Sequence, residues 1–96
     1  MTPAEKDIEK HFRHMIGSLG GLCLKWVCPG WAGVPDRICL MPGGKVFFAE
    51  LKRPVGGIIS PRQKEWNKRL TELGFWCYYI RNLQDIADLK EVLTID

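Results

Sequence analysis

The sequence predicts a mixed α/β domain in which helices flank a β-sheet whose middle is a hairpin. Three observations carry this: an apolar stripe at helical spacing near the start of the chain, two short apolar runs joined by Pro42-Gly43-Gly44, and a Ser-Pro-Arg-Gln helix opening at Ser60. Two-layer and three-layer arrangements both fit this order of elements.

Thr2-Pro3-Ala4-Glu5 reads as a helix start, with Thr2 the cap, Pro3 the first helical residue and Glu5 reaching back. Ile8, Phe12, Met15, Ile16 and Leu19 then recur at helical spacing, and Gly20-Gly21 ends the helix. Leu22 to Val27 predicts a strand, and Cys28 to Pro35 is a Pro/Gly-rich loop. Asp36 to Met41 predicts a second strand, which the Pro42-Gly43-Gly44 turn joins to Lys45 to Leu51 as a hairpin. Arg53 to Ser60 holds Gly56-Gly57 and predicts a mobile loop suited to substrate entry. Ser60-Pro61-Arg62-Gln63 repeats the capping signature and opens a helix that ends at Leu73-Gly74. Phe75 to Ile80 is apolar and aromatic, which predicts a buried strand. Leu83 to Leu93 closes the chain as a short helix with Ile86, Leu89, Val92 and Leu93 inward.

Ninety-six residues predict one domain, 1–96, with a single core, small enough that pairing with another copy adds stability. A net charge of +3 with a pI near 8.8 is mildly basic, less than a protein that holds nucleic acid by bulk charge shows, so any such surface would be local or assembled from two subunits. No run of eighteen apolar residues and no basic-then-apolar leader is present, which points away from a membrane span and a secretory signal and toward the cytoplasm. Cys23, Cys28, Cys39 and Cys77 form no CxxC pair and no zinc spacing with His11 or His14. They are expected to be reduced, mostly buried thiols, and the two histidines solvated helix residues.

Asp36, followed fourteen residues later by Glu50-Leu51-Lys52, carries the chemistry. Side chains alternate along a strand, so Phe48, Glu50 and Lys52 share one face while Phe47, Ala49 and Leu51 share the other. Glu50 and Lys52 point the same way, roughly 7 Å apart at their α-carbons. Phosphodiester hydrolysis asks for a hard cation held by oxygen ligands, a positioned water, and positive charge where negative charge gathers. Two carboxylates and an ammonium supply that set. An ordinary exposed strand pair with an aspartate in a turn is the plainer reading of the same spacing.

The ordered series Gly33-Val34-Pro35-Asp36-Arg37, Pro42-Gly43-Gly44, Phe48-Ala49-Glu50-Leu51-Lys52, Ser60-Pro61-Arg62-Gln63 and Leu73-Gly74 resembles the VRR-NUC branch of the PD-(D/E)xK nuclease superfamily. The resemblance runs from about Glu5 to about Leu93. It implies a restriction-endonuclease-like core, a mixed sheet flanked by helices, and an Mg²⁺-dependent endonuclease for which Mn²⁺ substitutes. It further implies a phage or prophage protein acting as a homodimer on branched DNA such as four-way junctions, in a bacterial cytoplasm, without membrane or small-molecule cofactor. Asp36, Glu50, Lys52 and Gln63 are then the catalytic set. Asp36, Glu50, the backbone carbonyl of Leu51 and a first-helix glutamate, Glu9 or Glu5, are the metal ligands. Glu5 has a competing part in the capping box and Glu9 has none, whereas Glu5 better matches the family's helix opening, so both stay open. Gln63 either is the reciprocal partner of the Ser60 cap or, as the resemblance implies, makes a hydrogen bond to Lys52, the attacking water or a phosphate.

Arg37, Arg53, Arg62 and Lys64, with Lys45, Lys68 and Arg69, are the cations expected to hold the phosphate backbone, leaving DNA shape to decide the target. Trp26 and Trp31 flank the loop before Asp36, where stacking on unpaired bases and a dimer contact are both open. Trp66 and Trp76 are expected in the core. The competing functions are a nuclease of different preference, for flaps or single strands, and a non-catalytic DNA-binding module of the same fold.

Overall fold

The computed structural model describes residues 5–53 and 56–95. Along them run α1 (Glu5–Ser18), β1 (Leu22–Lys25), β2 (Arg37–Met41), β3 (Lys45–Leu51), α2 (Pro61–Glu72), β4 (Trp76–Ile80) and α3 (Leu83–Thr94). The expected Thr2 cap and Pro3 first turn lie outside the described residues.

The sheet is mixed, in the order β1-β2-β3-β4. β2 pairs antiparallel with β1 and with β3, Arg37 opposing Lys25 on one side and Ala49 on the other. β4 returns parallel to β3, with Glu50 beside Tyr79 and Leu51 beside Ile80. That return requires a crossover, and α2 supplies it.

α1 buries Ile8, Phe12, Met15 and Ile16, the stripe its sequence spacing predicts. These pack with Phe47, Ala49 and Leu51 of β3, Ile80 of β4, and Ile86 and Leu89 of α3 into one core. Phe48, from the opposite face of β3, sits instead against Trp26 and Phe75, with ring centroids 4.6 and 5.4 Å away. α2 lies on this second face, where its Gln63 reaches Glu50. The architecture is therefore three-layered, α1 and α3 on one side of the sheet and α2 on the other.

Local rules account for the element ends. Gly20, at φ +82°, turns α1 back so that the Gly21 N–H donates to the Ile16 carbonyl at 3.0 Å. α2 opens with a full capping box at Ser60 and α3 with Asn82 as cap, its side chain accepting from the Asp85 N–H at 2.8 Å. β1 stops at Lys25, two residues before the expected Val27, although the Trp26 N–H still donates to the Asp36 carbonyl at 2.8 Å.

The last strand departs from expectation. β4 is an edge strand and only Ile80 of it is buried; Trp76 is 69% exposed. An edge strand has a neighbour on one side only. Its first residues also overhang a groove of about 570 Å³ between the sheet and the last turn of α3. Val92, expected inward, lines that groove and is exposed. The four cysteines are free thiols; Cys39 is buried and the others half-buried, while His11 and His14 are exposed. Among the described residues no helix is long and apolar enough to cross a membrane.

Candidate active site

The site forms where two ladders end at different places. Arg37 opposite Ala49 is the last β2–β3 pair, but β3 continues to Leu51 along β4. Leu51 therefore presents its N–H toward the vacated side, and the Oδ2 of Asp36, the residue just before β2, accepts it at 2.9 Å. The Lys52 N–H points the other way, to the Ile80 carbonyl at 2.9 Å. Successive residues of a strand alternate in ladder direction and the N–H and C=O of one residue share a side, so the Leu51 carbonyl lies on the side of Asp36.

Glu50 shares the Phe48 face, as alternation requires, and is only 4% exposed. Its Oε1 accepts from the Gln63 Nε2 at 2.9 Å and lies 3.9 Å from the Lys52 Nζ. Burial, then hydrogen bonding to Asp36 and repulsion from its charge, push the Glu50 carboxyl up to about 8, against a smaller lowering by Lys52; Glu5 adds to the repulsion. Asp36, Glu50, Lys52 and Gln63 are thus gathered at one end of β3.

Gln63 takes the capping role that the sequence offered and also makes a bond that the sequence did not name. Its Oε1 accepts from the Ser60 N–H at 2.8 Å while the Ser60 hydroxyl oxygen accepts from the Gln63 N–H at 3.2 Å. The amide carbonyl serves the helix cap, which leaves the NH₂ for Glu50. The NH₂ end therefore reaches Glu50, where the expectation names Lys52, the attacking water or a phosphate.

The two helix glutamates separate. Glu9 ion-pairs with Arg37, so its charge is compensated within the fold. Glu5, Glu9 and Asp36 line one cleft of about 200 Å³, and of the two glutamates it is Glu5 whose charge is felt at Glu50. Arg37 is 8% exposed and committed to Glu9, which corrects the expectation that it contacts DNA. The cause is alternation: Arg37 shares a strand face with Cys39, and that face looks toward α1. Arg53, Arg62 and Lys64 are exposed.

The loop before Asp36 is pinned to α2. Gly33 has φ +87°, and a Cβ there would lie 2.6 Å from the Arg62 Cβ, so both conformation and closeness require glycine. Trp66, expected in the core, is half-buried and donates its indole N–H to the Ala32 carbonyl at 3.0 Å. Trp26 packs on Phe48, whereas Trp31 stays 61% exposed. Glu50's burial and the Gln63–Glu50 bond are what sequence reasoning missed; the three-residue spacing from Ser60 and the family resemblance each marked Gln63 as hydrogen-bonded, but neither named Glu50.

Among the described residues no three His, Cys, Asp or Glu side chains converge closely enough to hold an ion alone. Asp36, Glu50 and the Leu51 carbonyl offer hard oxygen donors, and their number suits a cation that keeps several waters and takes the rest of its shell from substrate phosphate, as Mg²⁺ does. Two carboxylates held together with one refusing its charge until about pH 8 is an arrangement that a divalent cation relieves. The donor set fits the metal.

A mixed sheet between helices, with an Asp and a Glu-x-Lys converging at the end of its central hairpin, defines a restriction-endonuclease-like domain. No family model matches the sequence. The chain is, however, 38% identical over 89 residues, 93% of its own length and 90% of the relative's, to a protein named "Putative nuclease p44" from Acyrthosiphon pisum secondary endosymbiont phage 1. It is similar also to a solved VRR_NUC domain, with a TM-score of 0.86 and 25% identity, covering 91% of this chain and 94% of that one. The chain belongs to the VRR-NUC family.

Proposed function

We propose that this protein is a metal-dependent endonuclease that hydrolyses phosphodiesters in branched DNA, resolving four-way junctions as a homodimer. The observation that carries the reading is the convergence of Asp36, Glu50, Lys52 and Gln63 at one strand end, with Glu50 poised against its charged form. An exposed surface pair has no such buried carboxylate or donor.

Asp36, Glu50 and the Leu51 carbonyl are the residues to hold Mg²⁺ or Mn²⁺, with Glu5, whose charge reaches Glu50, as the helix carboxylate rather than Glu9, which Arg37 compensates. The bound cation would supply a Lewis acid for the phosphate and a more acidic water. Lys52 orients the attacking water and neutralises charge that gathers on the phosphate oxygens, while Gln63 fixes the carboxylate plane of Glu50 through its NH₂. Arg53, Arg62 and Lys64 grip the backbone on either side without reading bases. Nicking two opposed strands takes two such centres. The unpaired edge of β4, with Trp76 exposed on it, offers a surface for a second copy.

The test is cleavage of a labelled four-way junction, a flap and a linear duplex in Mg²⁺ or EDTA. Symmetric junction nicks that disappear with EDTA and in folded Lys52→Ala protein are the expected result. Cleavage indifferent to EDTA and to Lys52 sinks the catalytic assignment. A protein that sediments as a monomer at micromolar concentration, and cuts flaps in preference to junctions, replaces junction resolution by single-strand cutting.

A further inference from the structure

Of the two tryptophans that flank the loop before Asp36, one is spent on the fold and the other is not. Trp26 packs on Phe48. Trp31 is 61% exposed yet held: its backbone N–H donates to the Cys28 carbonyl at 3.0 Å, and its ring meets Trp66 edge to face at 5.7 Å. Trp66 is fixed in turn, by its indole bond to the Ala32 carbonyl and by the Arg69 guanidinium, 5.4 Å from its ring centroid. Gly33 closes the loop against Arg62 with no room for a side chain. A large apolar ring is thus presented to water on a rigid mount.

The surroundings say what such a ring suits. Trp31 and Trp66 line an open cleft of about 260 Å³ with Arg62 and Glu65. Arg62 immediately precedes Gln63, which bonds to Glu50, so the cleft adjoins the proposed cutting site. The aromatic face suits a base, and Arg62 suits the phosphate attached to it; Glu65 repels phosphate, which fixes the backbone on the Arg62 side. In a continuous duplex both faces of every base are covered by neighbours. A nucleotide has a face to offer only where stacking is broken, at a branch point or where the base is unpaired.

We propose that Trp31 is a stacking platform for one unstacked nucleotide of the DNA substrate, exposed at a branch point or left unpaired, with Arg62 holding the adjoining phosphate, and that this contact selects DNA in which base stacking is broken beside the cut. It rests on the nuclease reading and adds to it a specificity-determining residue outside the metal-binding set.

The test uses the full chain in EDTA, so that binding is separated from cleavage. Fluorescence anisotropy compares a labelled oligothymidylate with a blunt duplex of the same length, for wild type, Trp31→Phe and Trp31→Ala, each shown to be folded by circular dichroism. Trp31→Ala is expected to bind the single strand about 10-fold more weakly, Trp31→Phe to keep most of the affinity, and duplex binding to change less than about 2-fold. Single-strand binding should also quench tryptophan emission in wild type and do so less in Trp31→Phe. Equal loss on both DNAs, or no loss on the single strand, overturns the platform. A Trp31→Ala protein that sediments as a monomer where wild type is a dimer overturns it in favour of an interface. Wild-type cleavage in Mg²⁺ keeps the two readings apart: DNA cut normally by a Trp31→Ala protein of unchanged single-strand affinity sinks the platform alone, whereas wild type that neither binds nor cuts DNA sinks both.

Discussion

Glu50 is ordinarily a carboxyl of pKa 4.5, but in the fold it is held up to about 8. Between those two values the unfolded chain releases the proton and the folded chain keeps it, so without metal the contribution of this group falls as pH rises. It is fully favourable below pH 4.5 and lost through about pH 8. At about 1.4 kcal/mol per pH unit, the gap is on the order of 5 kcal/mol at alkaline pH, a large part of an ordinary domain's margin. Glu50→Gln removes the charge and keeps the geometry: its carbonyl accepts from Gln63 as before, and its NH₂ gives Asp36 the hydrogen that protonated Glu50 gives. Urea unfolding in EDTA at pH 5 and pH 9 measures the difference. The variant should match wild type within about 1 kcal/mol at pH 5 and exceed it by about 2 kcal/mol or more at pH 9. Added Mg²⁺ should raise the wild-type midpoint at pH 9 and leave the variant nearly unmoved. Parallel pH slopes for the two proteins, or a variant less stable at pH 9, would refute the claim that Glu50 and Asp36 are crowded together in the apo fold.

Four further outcomes follow from the same geometry. Asp36→Asn retains an oxygen for the Leu51 N–H, so it should fold within about 1 kcal/mol of wild type yet lose EDTA-sensitive cleavage. Gln63→Ala empties both ends of the shared amide and should cost about 1–2 kcal/mol by chemical denaturation; Gln63→Glu restores the cap acceptor and recovers part of that stability, while cleavage stays low. Arg37→Met leaves Glu9 without its cation and should cost on the order of 2 kcal/mol without altering the salt slope of DNA binding, whereas Arg53→Ala should reduce that slope by about 1. Gly33→Ala forces a Cβ into the Arg62 backbone and side chain at a left-handed φ, and should lower the melting temperature by several degrees, about 1–3 kcal/mol.

How much of this was written in the sequence depends on the range of the rule involved. The α1 stripe, the hairpin and the Ser60 cap are set by neighbours within a turn or two, and all three stand in the structure. Strand alternation even located the face of Glu50, and would have placed Arg37 on the α1 face with Cys39 had it been carried one strand further. What local pattern does not hold is which strand becomes an edge. Phe75 to Ile80 reads as buried because it is aromatic, but its place in the sheet order leaves Trp76 overhanging an open groove. The two-fold use of Gln63 was hidden for a similar reason: its cap partner is three residues away, whereas Glu50 comes to it only through the crossover from β3 to α2.

That crossover also explains why the cap and the site are one unit. α2 must begin close to the end of β3 to return the chain for β4, so its first turn is delivered over Glu50. A capping-box residue at the third helical position has one amide end committed to the helix start, and its free end is aimed outward from that start with little rotamer freedom left. Gln63 therefore reaches Glu50 already oriented, and the carboxylate is held on the side of Asp36 at small additional entropic cost. The same tie makes the reverse true. Fraying of the α2 start should release Glu50 as well, so Ser60→Ala, distant in role from any catalysis, is expected to slow cleavage along with its loss of about 1 kcal/mol in stability. A Ser60→Ala protein that is less stable but cleaves at the wild-type rate would show that the cap and the carboxylate are independent.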